Sequence, residues 1–129
     1  MCPYLQQRRK QLVAEILTPV SVERRLVNLS KEIDEGHKQL SDAEYGYHQA
    51  KVEYEIKIAE VRMSLNESGI KMRVQDVEDM ALIQCRSEYT VLNIAEATVK
   101  AARANANRLR TQVDIVRSVG TSVRASLEV

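Results

Sequence analysis

The sequence predicts an all-α protein: a long antiparallel helical hairpin of coiled-coil type with a short N-terminal helix, assembled into an oligomer. The chain has 129 residues, of which 44% are hydrophobic and 29% charged, and this size suits one domain over residues 1–129. Phe and Trp are absent, and the chain contains only four Gly and two Pro. A β-sandwich needs turn residues about every 8–12 positions, so the composition favours uninterrupted helix.

The first long helix, residues 19–66, is predicted from apolar residues that recur in alternating steps of four and three. We call this row the seam of the first helix: Val22, Leu26, Leu29, Ile33, Gly36, Leu40, Ala43, Tyr47, Ala50, Tyr54, Lys57 and Val61. Lys57 is its one polar member, and Ile58 lies outside it. Such a heptad pattern is typical of a coiled-coil helix. At about 1.5 Å per residue, the segment from Val22 to Asn66 would span roughly 65 Å.

The same steps predict the second long helix, residues 75–128. Its seam is Leu92, Ala95, Val99, Ala102, Ala106, Leu109, Val113, Val116, Gly120, Val123 and Leu127. Upstream, Val77, Ala81 and Cys85 continue the helix in a shifted phase, because Glu88 falls on the strict seam. A phase shift of this kind resembles a stutter in a coiled coil.

A turn at residues 67–74 is predicted to join the two helices. Gly69 suits the end of the first helix, because glycine adopts the left-handed conformation without a Cβ clash. Two helices joined by a short turn lie antiparallel. Residues 1–18 are predicted to carry a shorter helix, after which Thr18 caps the next helix and Pro19 begins it. The break at Thr18-Pro19 is either a simple kink or a hinge for an arm that docks on a neighbouring subunit.

Apolar residues outside the seams predict a homo-oligomer. A hairpin of two helices buries one stripe per helix and leaves a second stripe exposed to water. The predicted oligomer interface is Val52, Ile56, Leu82, Ile83, Val91, Ile94, Ile115 and Val119.

The net charge of +1 conceals a strong asymmetry. Residues 1–30 hold five basic and two acidic residues, and residues 100–129 hold six basic and two acidic residues. The middle of the chain, residues 31–99, holds eight basic and fourteen acidic residues. Folding the hairpin places both basic ends together, and arginine clusters favour phosphate binding because each guanidinium is a planar fork of donors. The predicted nucleic-acid-binding residues are Arg8, Arg9, Lys10, Arg24, Arg25, Arg103, Arg108, Arg110, Arg117 and Arg124. Alternatively, these charges lie on a solvated face or align the chain against the acidic half of a neighbour.

The sequence contains no catalytic or metal-binding motif, which predicts a non-enzyme without cofactor, metal or small-molecule substrate. His37 and His48 share a helix face but lie about 16 Å apart along the axis, too far to hold one metal. The two cysteines, Cys2 and Cys85, show no paired spacing, which favours a reducing compartment. No window approaches the roughly 18–20 apolar residues of a membrane span. We therefore expect a cytoplasmic protein with no membrane partner.

Three segments resemble a known group of proteins. Residues 65–69 (LNESG) lead, through residues 76–81 (DVEDMA), into a helix that closes with RLRTQVDIVRSVG at residues 108–120. Over residues 22–127 this pattern resembles the small two-helix proteins encoded in early regions of tailed phages, often near recombination or replication genes. In architecture and size the chain is also similar to the UvsY-type recombination mediators, oligomeric helical proteins that bind single-stranded DNA and help load a recombinase. The resemblance implies a ring or bundle that presents basic ends to DNA in the host cytoplasm.

The resulting hypothesis is a non-enzymatic oligomer that assists DNA recombination or replication by binding single-stranded DNA or a DNA-processing protein. The alternative is a protein-binding adaptor or inhibitor that acts on a host protein, or a coiled-coil assembly scaffold. In that alternative the partner packs on the exposed apolar stripes or on the acidic tip.

Overall fold

The computed structural model describes residues 2–8 and 18–128, and 92% of these residues are helical with no strand among them. Residues 3–8 are helical. The long helices are α1 (Pro19–Glu67), α2 (Val74–Gln84) and α3 (Arg86–Leu127). The predicted all-α class is confirmed, and so is the pairing of one long helix against another. Residues 9–17, the rest of the predicted N-terminal helix, lie outside the described residues.

Packing divides the chain into two compact units. Unit 1 comprises Met1–His37 and Ala104–Val129, and unit 2 comprises Lys38–Arg103. Within unit 1, the first part of α1 pairs with the last part of α3. Within unit 2, the rest of α1 pairs with α2 and the start of α3.

The contacts in each unit run in opposite sequence directions, as an antiparallel pair requires. In unit 1, Arg25 donates a hydrogen bond to Gln112 at 3.2 Å, and the later Gly36 faces the earlier Leu109. In unit 2, Glu44 meets Arg103 at 3.4 Å, whereas Arg62 meets Glu78 at 3.8 Å. The antiparallel order predicted for the hairpin therefore holds within each unit.

Thr18 is the N-cap of α1, as the sequence predicts. Its Oγ1 accepts a hydrogen bond from the backbone N–H of Ser21 at 3.3 Å. Its carbonyl oxygen accepts from the N–H of Val22 at 3.0 Å and from the Ser21 hydroxyl at 2.9 Å. Pro19 begins the helix, where a missing N–H removes a donor that has no partner within the helix.

The core of unit 1 consists of predicted seam residues from both helices. Leu29 is fully buried, and Val22, Leu109 and Val123 are also buried. The helices approach so closely at Gly120 that a Cβ added there would lie 2.9 Å from Cγ1 of Val22. Glycine on the seam therefore permits this close approach of α1 and α3.

The core of unit 2 is a cluster formed by Ile58, Val61, Ala81 and Cys85, with Leu65 and Tyr54 packed against it. The ring of Tyr54 also lies 5.6 Å from the ring of Tyr89, between centroids. The prediction that Lys57 occupies the seam is wrong, because Lys57 is exposed and Ile58 is buried in its place. Two successive steps of four, from Ala50 to Tyr54 to Ile58, shift the phase and carry the apolar stripe past the lysine.

Where the sequence predicts one helix over residues 75–128, the structure has two, separated by Cys85. The backbone of Cys85 adopts φ −95° and ψ 20°, and its side chain is fully buried. Its N–H donates to the carbonyl of Ala81 at 3.0 Å, and its own carbonyl accepts from the N–H of Tyr89 at 2.9 Å. The break coincides with the phase shift that the sequence predicts upstream of Glu88. It lies opposite the phase shift of α1, because Ile58 of α1 and Cys85 belong to one buried cluster.

The turn between α1 and α2 comprises residues 68–73, within the predicted range of 67–74. The Ser68 hydroxyl donates to the carbonyl of Leu65 at 2.6 Å, at the end of α1. Gly69 follows with φ 77°, in the left-handed region that favours glycine. Asp76 lies in the first turn of α2, where a negative charge interacts favourably with the helix dipole.

We expect opposite outcomes when alanine replaces two glycines inside helices. At Gly46 an added Cβ meets no atom within 4 Å, so Gly46→Ala should stabilise the protein by about 0.5–1 kcal/mol through helix propensity. Gly120→Ala should lose this gain or destabilise the protein, because the new methyl group would press on the stiff Val22 side chain. Thermal unfolding followed by circular dichroism measures both changes. In a Val22→Ala background, Gly120→Ala should become more favourable, and an unchanged effect there would contradict the proposed contact.

We expect the two cysteines to differ in reactivity and Cys85 to give the stability a pH dependence. Cys2 is exposed and Cys85 is buried, so a thiol reagent should modify one cysteine in the folded chain and both after unfolding.

Burial, and secondarily the nearby Glu88 carboxylate, raises the pKa of Cys85 above its ordinary value of 9.0. The unfolded chain therefore loses this proton first, and the free energy of unfolding should fall as the pH rises above about 9.

Urea unfolding at several pH values measures this dependence. In the Cys85→Ala variant the free energy of unfolding should fall less steeply with rising pH. In the Cys2→Ser variant it should fall as steeply as in the parent protein. Equal modification rates for the two thiols in the folded chain would contradict the burial of Cys85.

Candidate functional site

The structure assigns different surroundings to the predicted nucleic-acid-binding residues. Arg9 and Lys10 lie outside the described residues. Arg8 stacks over the ring of Tyr4, 5.9 Å from its centroid. Arg103 belongs to unit 2 and is paired with the Glu44 carboxylate. The remaining six lie on the paired helices of unit 1: Arg24, Arg25, Arg108, Arg110, Arg117 and Arg124.

Three of these six residues form a straight row on α3. Arg110, Arg117 and Arg124 are seven residues apart, and a spacing of seven returns to nearly the same helix face after two turns. All three are exposed. At about 1.5 Å per residue, neighbours in this arginine row are roughly 10.5 Å apart along the axis.

The side chains of the arginine row have no partner among the described residues, a property that Arg24 shares within unit 1. Within residues 2–8 and 18–128, no ion pair and no side-chain hydrogen bond involves Arg110, Arg117 or Arg124. By contrast, Arg25 is paired with Glu32 at 3.9 Å, and Arg108 donates to Asn105 at 2.9 Å. The donors of the row are therefore free to bind an external anion.

The immediate surroundings keep the row positive. Asp114 lies between Arg110 and Arg117 along the chain, and Glu128 follows Arg124 by four residues. The three arginines and these two carboxylates together carry a net charge of +1. His37 and Arg110 line one small cleft of about 40 Å³ beside the seam, together with Ile33 and Leu109. Unit 1 as a whole holds ten basic and seven acidic residues, and unit 2 holds nine and eleven. Of the two units, unit 1 is therefore the one whose net charge attracts anions.

A second surface of unit 1 is an apolar groove of about 360 Å³ between α1 and α3. Val22, Ile115, Val116 and Val119 contribute its apolar lining. Arg24 and Arg25, with the polar Ser21 and Asn28, complete it. Its volume falls within the roughly 300–1,000 Å³ typical of ligand clefts. The groove therefore combines residues predicted from the sequence for two separate purposes, nucleic-acid binding and oligomer contact.

The residues predicted as the oligomer interface lie largely at the surface. Val52, Ile56, Leu82, Ile83, Val91, Ile94 and Ile115 are exposed, and Val119 is half-buried in the groove. Ile58, which the sequence also places outside the seam, is instead part of the core. Exposed apolar side chains in such number are typical of a protein that associates with itself or with a partner.

The part of the chain that the structure describes contains neither a group of metal-binding side chains nor a membrane-spanning helix. There, no three His, Cys, Asp or Glu side chains are placed to hold a metal ion together. In the same residues, no helix is both long and apolar enough to cross a membrane.

Comparison with protein-family models, with curated proteins and with solved structures finds no match to this chain. Its function therefore has to follow from its own surfaces. The arginine row could have been found in the sequence from its constant spacing of seven. The groove could not, because its two walls come from residues about 90 positions apart, such as Arg24 and Ile115.

Proposed function

We propose that this chain binds the phosphate backbone of single-stranded DNA through the arginine row of unit 1. It would act without catalysis, as a helical protein that assists DNA recombination or replication in the cytoplasm. The observation that supports this proposal is the set of three exposed, unpaired guanidinium groups at a constant spacing on one helix face. The resemblance to UvsY-type mediators agrees with it.

The straightness of the row favours a single strand over a duplex. The row is about 21 Å long, and the strands of B-DNA advance about 3.4 Å per nucleotide while winding around the axis. A duplex strand therefore leaves a straight line of arginines after a short contact. A flexible single strand can lie along all three arginines at once.

The contacts available to the row are suited to phosphate rather than to bases. Phosphate contacts position a nucleic acid without reading its sequence. Base stacking would need aromatic side chains beside the row. Four of the five tyrosines, Tyr45, Tyr47, Tyr54 and Tyr89, belong to unit 2, and Tyr4 of unit 1 lies against Arg8. Binding should therefore be insensitive to sequence and strongly sensitive to salt.

We expect a variant with Arg110→Gln, Arg117→Gln and Arg124→Gln to lose most single-strand binding. Three phosphate contacts contribute about −2 to the slope of log K against log salt for single strands, so the slope should become shallower by about this amount. Fluorescence anisotropy of labelled oligothymidine, measured across a salt series, gives the affinity and the slope together.

The matched control is a variant with Lys31→Gln, Lys38→Gln and Lys51→Gln. These three lysines are exposed on α1, so the control removes the same charge from another helix and should largely retain binding. Circular dichroism establishes that both variants are folded. Equal losses in the two variants would indicate a general charge effect, and unchanged binding in the arginine variant would refute the proposal.

The groove of unit 1 favours a second candidate function, that of a protein-binding adaptor, inhibitor or assembly scaffold. Its apolar lining and the exposed apolar residues of unit 2 offer contacts that do not depend on salt. If the chain fails to bind DNA at low salt, this candidate replaces the first one. An Ile115→Ser variant should then lose the protein partner, whereas the arginine-row variant should retain it.

A further inference from the structure

The groove of unit 1 is an apolar trough with positive charge at its rim. Val22, Ile115 and Val119 supply apolar surface, while Arg24 and Arg25 supply the charge. Gln112 and Glu32 hold the Arg25 guanidinium at 3.2 Å and 3.9 Å. A helix fits such a trough when its apolar residues are bordered by carboxylates, since the apolar face enters and the charges meet at the rim.

Unit 2 of the same chain carries a helix face with these properties. Val52, Ile56, Ala59 and Met63 recur on α1 in steps of four, three and four, and all four are exposed. We call this line the ridge. Its residues Val52 and Ile56 are each two positions, or about 200°, from the core residues Tyr54 and Ile58. The ridge therefore lies on the side of α1 opposite to its partner helix.

Carboxylates border the ridge on both sides. Glu53 follows Val52, Glu55 precedes Ile56 and Glu60 follows Ala59, which are the positions that flank the contact line in a heptad. All three are exposed. The nearby Arg62 is paired with Glu78 of α2. The border of the ridge is thus acidic where the rim of the groove is basic.

We propose that the groove of one copy binds the ridge of a second copy, so that the chain assembles through unlike surfaces. If two ridges met, their glutamates would face each other, and if two grooves met, their arginines would face each other. Repulsion between these like charges disfavours both symmetric arrangements. Groove against ridge is the arrangement in which apolar surface meets apolar surface and each charge meets its opposite. This proposal is independent of DNA binding, because the arginine row belongs to neither surface.

An assembly of this kind has no built-in limit of two copies. Each chain offers one groove and one ridge, and head-to-tail contacts produce either a closed ring or a growing chain. We expect sedimentation velocity to show either a mass that rises with protein concentration or a closed assembly of fixed mass, of which the smallest is a dimer with two groove–ridge contacts. A third charged surface, the arginine row, would be repeated along either assembly.

A charge swap tests the proposal. In the groove variant, Arg24→Glu and Arg25→Glu make the rim acidic, and in the ridge variant, Glu53→Arg and Glu55→Arg make the border basic. Each variant alone would oppose like charges and should associate about tenfold or more weakly than the parent protein. In an equimolar mixture every groove meets a ridge of opposite charge, so association should return to the parental range. Lys31→Glu with Lys38→Glu is the matched control for the groove variant and should associate like the parent.

Circular dichroism on each variant establishes that lost association is not lost folding. A groove variant that associates like the parent would indicate symmetric pairing of ridges and overturn the proposal. A monomeric parent protein would leave the groove to a different molecule and also overturn it. A folded pair of variants that fails to recover association on mixing would show that the two surfaces do not meet.

Discussion

The structure depends on the apolar seam that α1 shares with its antiparallel partner helices. In unit 1, α1 packs against α3, and in unit 2 it packs against α2 and the start of α3, which follow one another along the chain. One stripe of each helix is therefore buried and the other faces meet water. The helices are close enough at Gly120 and Val22 that no added methyl group fits without displacement. The exposed ridge, the groove and the arginine row are therefore consequences of a core that is only two helices wide.

The seam persists through a change of phase because both sides change together. In α1 two successive steps of four bring Ile58 inward instead of Lys57, and in the facing segment Val77, Ala81 and Cys85 are also separated by two successive steps of four. Ile58, Ala81 and Cys85 belong to one buried cluster. A phase change on one helix alone would have opposed a lysine to an apolar surface, at the cost of burying its charge. The break at Cys85 is thus part of the packing of unit 2.

The pairing of charges separates arginines that look alike in the sequence. Arg103 is engaged by the Glu44 carboxylate across the helix pair. Arg25 is engaged by the Glu32 carboxylate of its own helix and by the Gln112 amide across the pair, whereas Arg110, Arg117 and Arg124 have no such partner among the described residues. An exposed ion pair contributes little to stability, but it reduces the charge available to an external phosphate. The three unpaired arginines of the row support the proposed DNA contact. The proposed contact between the groove and a carboxylate-bordered helix rests on Arg25 and on Arg24, which is also unpaired in the described part of the chain.

The sequence by itself determined the helical class, most of the buried residues and the two ends of α1. These features depend on the 3.6-residue period, the capping of Thr18 and the left-handed glycine at Gly69, all of which act over a few neighbouring positions. The constant spacing of seven between Arg110, Arg117 and Arg124 is also visible in the sequence. Only the tertiary structure decided that Ile58 replaces Lys57, that the helix breaks at Cys85 and that Arg103 is engaged by Glu44. Such outcomes depend on the register between helices, which brings together residues 59 or 87 positions apart, and no local pattern encodes that register.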